Sequence, residues 1–237
     1  MSIRFRSMLN ELGISYSDEM LTQFDRYYNI LIEWNKVMNL TGITEYEEVV
    51  SKHFIDSLSI VKVIDMNNIS NMIDIGTGAG FPGVPIKIIF PHIKVTLLDS
   101  LNKRIRFLND VIKYLKLNNI VTLHGRAEDF ARKKEYREKY DLCVSRAVTN
   151  LSSLSEYCLP YVKDGGMFIP YKSGDIDNEL SSSRNAINIL GGVIQDVIRF
   201  ELPDTDISRS LISICKIKKT EKKYPRKAGI PTKEPLL

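Results

Sequence analysis

The stretch NMIDIGTGAGFPGVP, residues 71–85, sets Gly76, Gly78, Gly80 and Gly83 behind a short apolar run that contains Asp74. Glycine lets a backbone turn through positive φ and lets a ligand approach the main chain. Between a strand and a helix, such a turn is a nucleotide-type site. Gly78, Gly80 and Gly83 satisfy G-x-G-x-x-G, and Asp99 follows at about the spacing of an acid that binds a ribose hydroxyl. On pattern alone NAD stays open. Two features count against a pyrophosphate. Pro82 and Pro85 stand where helix N–H groups would be donated. The Asp74 carboxylate would repel phosphate and attract an ammonium or sulfonium group. S-adenosylmethionine carries both cations and no phosphate, so charge favours it.

Asp99, closing the run KVTLLD, then suits both ribose hydroxyls, and it can also cap a helix beginning near Ser100. In GRAED, Ala127 and Glu128 fall where the adenine would lie, or form a plain turn with an acid at a helix start. Methyl transfer is an in-line displacement, so proximity and alignment provide most of the catalysis. Pyrimidine C5 methylation needs a cysteine preceded by proline, and Cys143, Cys158 and Cys215 lack that neighbour. Exocyclic amine methylation often uses an Asx-Pro-Pro-aromatic loop, where this chain reads VSRAVTN. An oxygen or carbon acid calls for a general base, and Arg146 stands there instead. A nitrogen with a free lone pair, such as guanine N7, needs none. In duplex RNA that atom lies in a groove side chains cannot read, so the target should be unpaired. Arg146 is the candidate catalytic residue, anchoring a phosphate, the methionine carboxylate or the base, or else pairing with a local acid.

The surrounding elements can position these groups. Residues 17–40 read as one amphipathic helix, with Ser17 as N-cap and Asp18 and Glu19 at its positive end. Leu21, Phe24, Tyr27, Leu31, Trp34 and Met38 recur at helical spacing. Further helices are expected near 45–51 and 53–64, so residues 1–65 form a small helical cap. From Asn71 onward short apolar runs alternate with helical patterns near 83–90, 102–117, 127–138, 151–162 and 175–190. Such alternation predicts a doubly wound, mainly parallel sheet over residues 66–218. The last two strands are joined only by PDTDIS, too short for a helical crossover, and should pair antiparallel.

At 237 residues with 43% hydrophobic and 26% charged side chains, the chain matches a soluble globular protein. No apolar run approaches the ~20 residues of a membrane span. The start MSIRFRSMLNEL lacks the apolar core and cleavage site of a secretory leader. The three cysteines suit free thiols in a reducing cytoplasm, and the three histidines lie too far apart for a metal site. A cytoplasmic monomer without metal or membrane attachment is expected. The net charge is +4, with cations concentrated in residues 219–237. That basic tail, bearing Tyr224 and prolines, suits a phosphate backbone.

Taken together, WNKVMNLTGI, HFIDSL, DIGTGAGFPGVPIKI, LLDSLNKRIRFL, GRAE, SRAV, RSLISICKI and YPRKAGIPTKEPL closely resemble the bacterial 16S ribosomal RNA guanine-N7 methyltransferase family, also called glucose-inhibited division protein B. The resemblance implies a class I S-adenosylmethionine-dependent methyltransferase fold: Rossmann-like, mostly parallel, with an antiparallel last strand and an N-terminal helical cap. It implies methylation of a guanine in the 530 loop of 16S rRNA (position 527 in conventional rRNA numbering), free or in a 30S assembly particle. By motif, cofactor contacts fall on Gly76, Phe81, Ala127, Glu128 and Arg146, with Asp74, Gly78, Gly80 and Asp99 nearby. HFIDSL puts His53, Asp56 and Ser57 beside the glycine loop, as substrate contacts or as packing of the cap. The tail would place Arg226 and Lys227 near RNA. PYKSG departs from an uninterrupted KG, which leaves the role of Lys172 open. A small-molecule methyltransferase, an NAD-dependent oxidoreductase and a non-catalytic RNA-binding factor are the rival readings.

Overall fold

The computed structural model describes residues 1–146, 148–174 and 176–236. Helices α1 (Ile3–Glu11) and α2 (Asp18–Met38) lead into a continuous helical run. That run comprises α3 (Tyr46–Val49), a π-helical segment (Val50–Ile55), α4 (Asp56–Leu58) and a 3-10 turn (Ser59–Lys62). The sheet portion follows as β1 (Asn71–Ile75), α5 (Gly83–Ile89), β2 (Lys94–Asp99), α6 (Asn102–Tyr114), β3 (Ile120–His124), α7 (Ala127–Phe130) and β4 (Tyr140–Arg146). It continues with α8 (Leu151–Cys158), β5 (Val162–Ser173), α9 (Asp177–Ile189), β6 (Gly192–Glu201), β7 (Ser208–Lys216) and α10 (Ile230–Lys233). No helix among the described residues is long and apolar enough to cross a membrane.

The seven strands lie in the order β3-β2-β1-β4-β5-β7-β6. β1 to β5 run parallel, and β7 pairs antiparallel with both β5 and β6. This is the class I methyltransferase architecture, with the reversed strand expected from the short PDTDIS connection. Strand order reverses between β1 and β4, so a crevice opens there at the carboxyl ends of the strands.

The alternation of the central strands separates two cores. Met72, Leu97, Leu142 and Val144 face α5, α6 and the cap, while Ile73, Ile75, Leu98 and Cys143 face α8 and α9. The cap joins the first core without a break. Phe24 and Phe54 have ring centroids 5.0 Å apart, and Tyr27 reaches Phe81 of the glycine turn at 5.4 Å. At about 0.5–1.5 kcal/mol per aromatic pair beyond burial, the first pair knits the cap together and the second ties it to the glycine turn.

Three expectations are corrected. α1 is an additional helix: Ser2 caps it by accepting from the Phe5 amide, and Phe5, Met8 and Leu9 bury its inner face. The helices near 45–51 and 53–64 are one run, continuous through the π-helical segment. The helix near 127–138 stops at Phe130. Beyond it Arg137 turns to the carbonyls of Thr220 and Tyr224, a tertiary attraction that outweighs local helix propensity. Those same bonds fold the C-terminal residues onto the body. Thr220, Tyr224 and Pro231 are buried there rather than lying in an extended, solvated arm.

Candidate functional site

After β1 the chain turns through three left-handed glycines, Gly76 (φ +70°), Gly78 (φ +62°) and Gly80 (φ +94°). What excludes side chains differs among the four loop glycines. A Cβ on Gly80 would lie 2.6 Å from the Tyr27 hydroxyl and 3.0 Å from Leu108. On Gly83 it would strike Leu97 and the Asp74 carboxylate. At these two positions the protein's own packing demands glycine. Gly76 lies beneath Val148 of the β4–α8 loop, at 2.7 Å from a built Cβ, whereas a Cβ on Gly78 would meet only Gly76 O, at an ordinary 3.9 Å. Tyr27 donates its hydroxyl to Ala79 O, so the cap fixes the crown of the turn.

Asp74 does not present its charge to the crevice surface. It is fully buried, and its Oδ2 accepts from Thr77 Oγ1 at 2.7 Å and from Gly83 N at 2.9 Å. The expectation that it meets a cationic ligand directly gives way to an internal role: an acid that ties the loop to the start of α5. Its Oδ1 is buried without a partner, and burial raises its pKa to about 6 against those two hydrogen bonds. At the start of α5 the Gly83 amide is taken by Asp74, Val84 N and Ile86 N bond to Gly80 O and Pro82 O, and Pro85 has no N–H. No free donor remains there for a pyrophosphate.

A cavity of about 240 Å³ opens across the ends of β1, β2 and β3. Gly76, Asp99, Ala127, Glu128, Tyr157 and Thr232 are among the residues that line it. Asp99 is 2% exposed; its Oδ2 accepts from Gly78 N at 2.9 Å and from Arg104 Nη1 at 3.2 Å, and its Oδ1 from Leu101 N at 2.9 Å. The amide bonds orient the carboxylate and cap the following turn. About four acceptor sites on a carboxylate leave room for one further donor, and a second can replace the partly exposed Arg104. The donor set fits a ribose diol. Glu128 is buried and accepts from Gly229 N at 3.1 Å, while Ala127 O receives the Tyr161 hydroxyl at 2.6 Å.

A second cavity, of about 510 Å³, lies beside the first and is lined by Lys52, His53, Asp56, Arg146, Lys172 and Arg209 among others. Asp56, 2% exposed, receives Arg146 Nη1 at 2.7 Å and Arg209 Nε at 2.8 Å. Arg146 also donates to Lys52 O at 3.2 Å, contacts His53 Nδ1 at 3.3 Å and lies 5.2 Å from the Phe81 ring centre. His53 stacks on Phe81 with centroids 4.5 Å apart, and its Nε2 lies 2.8 Å from Thr41 Oγ1. Burial, then the Arg146 charge, presses the His53 pKa down to about 3. Ser57 faces away, donating to His53 O and accepting, through its own carbonyl, the Tyr171 hydroxyl at 2.7 Å. Lys172 binds Thr149 O at 2.8 Å and Glu179 at 2.6 Å, and Glu179 also accepts the Leu151 amide. Lys172 and Glu179 thus hold the β4–α8 loop, whose Thr149 lines the first cavity.

His53, Asp56, Arg146 and Lys172 therefore gather at one cavity, with Phe81 buried behind His53, and Gly76, Asp99, Ala127 and Glu128 at the other. Arg226 joins neither. It clamps the fully buried Glu156 through its amide and guanidinium, with Nη2–Oε2 at 2.7 Å. Lys227 is exposed beside it. Arg209, Tyr157 and Thr232 entered the cavities without a sequence signal, because each arrives from an element distant in the chain; Lys52 and Glu179 lie near His53 and Lys172 in sequence but carried no motif of their own. No group of three or more His, Cys, Asp and Glu residues able to hold a metal ion occurs among the described residues.

A family model described as rRNA small subunit methyltransferase G matches residues 20–212. A protein of Lachnoclostridium phytofermentans named Ribosomal RNA small subunit methyltransferase G is 55% identical over 229 residues, 97% of this chain and 95% of its own length. One of the same name from Desulforamulus reducens is 52% identical over 236 residues, covering 100% of this chain and 98% of its own. Among solved structures, M. jannaschii TYW2 in complex with AdoMet superposes with TM-score 0.56 at 13% identity, covering 74% of this chain and 80% of that one. The Methanococcus jannaschii fibrillarin pre-rRNA processing protein gives 0.52 at 17% identity, covering 67% and 73%. These structural likenesses concern the fold.

Proposed function

We propose, for a chain that belongs to the rRNA small subunit methyltransferase G family, transfer of a methyl group from S-adenosylmethionine to N7 of a guanine in the 530 loop of 16S rRNA, at position 527 in conventional numbering, without a covalent enzyme intermediate. The cofactor, when bound, supplies an electrophilic methyl group on a sulfonium. Asp99 receives the ribose hydroxyls, Gly78 leaves space at the turn, and Ala127 and Glu128 hold the nucleoside end. Phe81, with His53 and Arg146 packed on it, forms the wall between the donor and the acceptor base.

The observation that carries the reading is the state of the acids at the acceptor cavity. Asp56 is neutralised by two guanidiniums, Glu179 by Lys172 and an amide, and His53 is held as a neutral, weakly basic imidazole. A cavity rich in cations with its acids engaged suits an acceptor that gives up no proton in the transition state. Guanine N7 is such an acceptor, and the excess of cations in the lining, Lys52, Arg146, Lys172 and Arg209 against Asp56 and Glu179, suits its phosphate-bearing chain. A cysteine adduct has no candidate here: Cys143 and Cys158 are wholly buried, burial raises the pKa values of Cys143 and Cys215, and none of the three lines either cavity.

The test is transfer from labelled S-adenosylmethionine to 16S rRNA, or 30S particles, from cells lacking this protein, followed by mass mapping. N7-methylguanine should appear in the 530 loop. A label at another nucleotide refutes the site, and turnover on free nucleosides with none on rRNA refutes the substrate class.

A further inference from the structure

Beyond the Arg137 contacts, residues 226–236 are bound to the body by contacts with α8 and the start of α7. Arg226 clamps Glu156, Ser153 Oγ donates to Pro231 O at 2.7 Å, and Ser152 Oγ donates to Leu236 O. Gly229, in the left-handed region at φ +83°, donates its amide to Glu128 Oε1 at 3.1 Å. The Thr232 hydroxyl meets Tyr157 Oη at 2.6 Å, and both residues line the first cavity beside Ala127 and Glu128. A charged anchor on a carboxylate with no exposure, backed by four further polar contacts, describes a seated strap rather than a loose arm.

In a sheet of this order the ribose acid stands at the end of β2, and the residues after β3 lie one strand further from the switch point. Gly229 bonds Glu128, which follows β3, and Thr232 stands one helical turn further on, which places it toward the β3 side of the cavity, where a purine base attached to that ribose would lie. We infer that the segment Arg226–Leu236 is the outer wall of the cofactor cleft on its adenine side, with Thr232 meeting the nucleoside and Gly229 orienting Glu128; this rests on the S-adenosylmethionine reading above. Arg226 is then a positioning residue for the cleft, its guanidinium engaged by Glu156 and not presented to RNA. Its neighbours Lys227 and Lys233 are exposed on the same strap.

The test uses the full chain and equilibrium titration with S-adenosylmethionine, S-adenosylhomocysteine and a 16S rRNA fragment containing the 530 loop. Thr232→Trp should fill the adenine end and weaken both cofactor ligands at least tenfold. Thr232→Ser, which keeps the hydroxyl, should bind them like the parent, and both variants should keep rRNA affinity. Hydrogen exchange of the unaltered protein supplies a readout independent of the variants' folding: amides 229–234 should slow when S-adenosylmethionine is added. Unchanged cofactor affinity in Thr232→Trp, or unchanged exchange in the unaltered protein, overturns the wall. Loss of rRNA affinity alone makes the segment an RNA contact instead. If the unaltered protein binds no S-adenosylmethionine, the methyltransferase reading falls and the wall with it; if it binds and neither readout moves, only the wall falls.

Discussion

Replacing Asp56 by asparagine removes one charge and leaves the shape of the side chain nearly intact. In the native site that carboxylate is 3% exposed and holds Arg146 at 2.7 Å and Arg209 at 2.8 Å. Breaking a buried ion pair from one side costs about 3–5 kcal/mol, because the remaining charge is left uncompensated. Here two guanidiniums are left facing each other, but they keep 14% and 19% of their side-chain surface exposed, and Arg146 retains Lys52 O. The lower end of the range, about 3 kcal/mol, is therefore expected. A domain stability of about 5–15 kcal/mol leaves the variant folded, with Tm lowered by roughly 6–12 °C for a chain of this size. Turnover should fall at least about tenfold, because Arg146 loses the contact that holds its planar group over Phe81, whereas S-adenosylmethionine affinity should change much less. Thermal denaturation and single-turnover methyl transfer measure the two effects. Adding Arg209→Met to Asp56→Asn should recover part of the stability, since one uncompensated charge is gone, but none of the turnover. A variant whose Tm stays within about 1 °C and whose turnover is unchanged would refute the coupling of cap, Arg146 and β7.

Asp99→Ala should weaken S-adenosylmethionine binding at least tenfold in a titration, with Tm lowered by only a few degrees as Gly78 N and Leu101 N lose their acceptor; unchanged affinity means the ribose contact is elsewhere. Gly83→Ala should cost about 1–3 kcal/mol by overpacking against Leu97 and Asp74, seen as a lower denaturation midpoint in the absence of any ligand. Gly78→Ala makes only an ordinary contact with Gly76 O at 3.9 Å, so its fold cost is limited to about 1–2 kcal/mol for the left-handed backbone, and a larger share of its effect should appear in cofactor affinity. His53 folds as a neutral group whose pKa lies at about 3, below the ordinary 6.5, so the unfolded chain takes up its proton first as pH falls. Its contribution to stability is full above pH 6.5 and is lost progressively toward pH 3. His53→Gln should then lose about 2 kcal/mol less than the parent between pH 6.5 and 4.5, measured by urea denaturation. Asp74, with its pKa raised to about 6, acts with the opposite sign between roughly pH 6 and 4 and is present in both proteins, so the difference isolates His53.

Much of this molecule was legible in one dimension. Local chemistry does not depend on what packs where, so Ser17 capped α2, the short apolar runs became β1 to β7, and a six-residue link forced β7 to reverse. The glycine turn, Asp99, and the pair Ala127 and Glu128 follow strand ends, and strand ends in a doubly wound sheet converge on one edge. The reason for each glycine was not legible. Gly80 and Gly83 make room for Tyr27, Leu108 and Leu97, which come from other elements, and of the four loop glycines only Gly78 is free of crowding. Nor did the sequence reveal which charges were already engaged. Asp74 turned inward to its own loop, Arg226 went to Glu156 seventy residues away, and Asp56 took Arg209 from β7. Residue type and spacing state what a side chain is able to do; the partner that satisfies it first is chosen by tertiary packing, because burying an unpaired charge is costly enough to override its local surroundings.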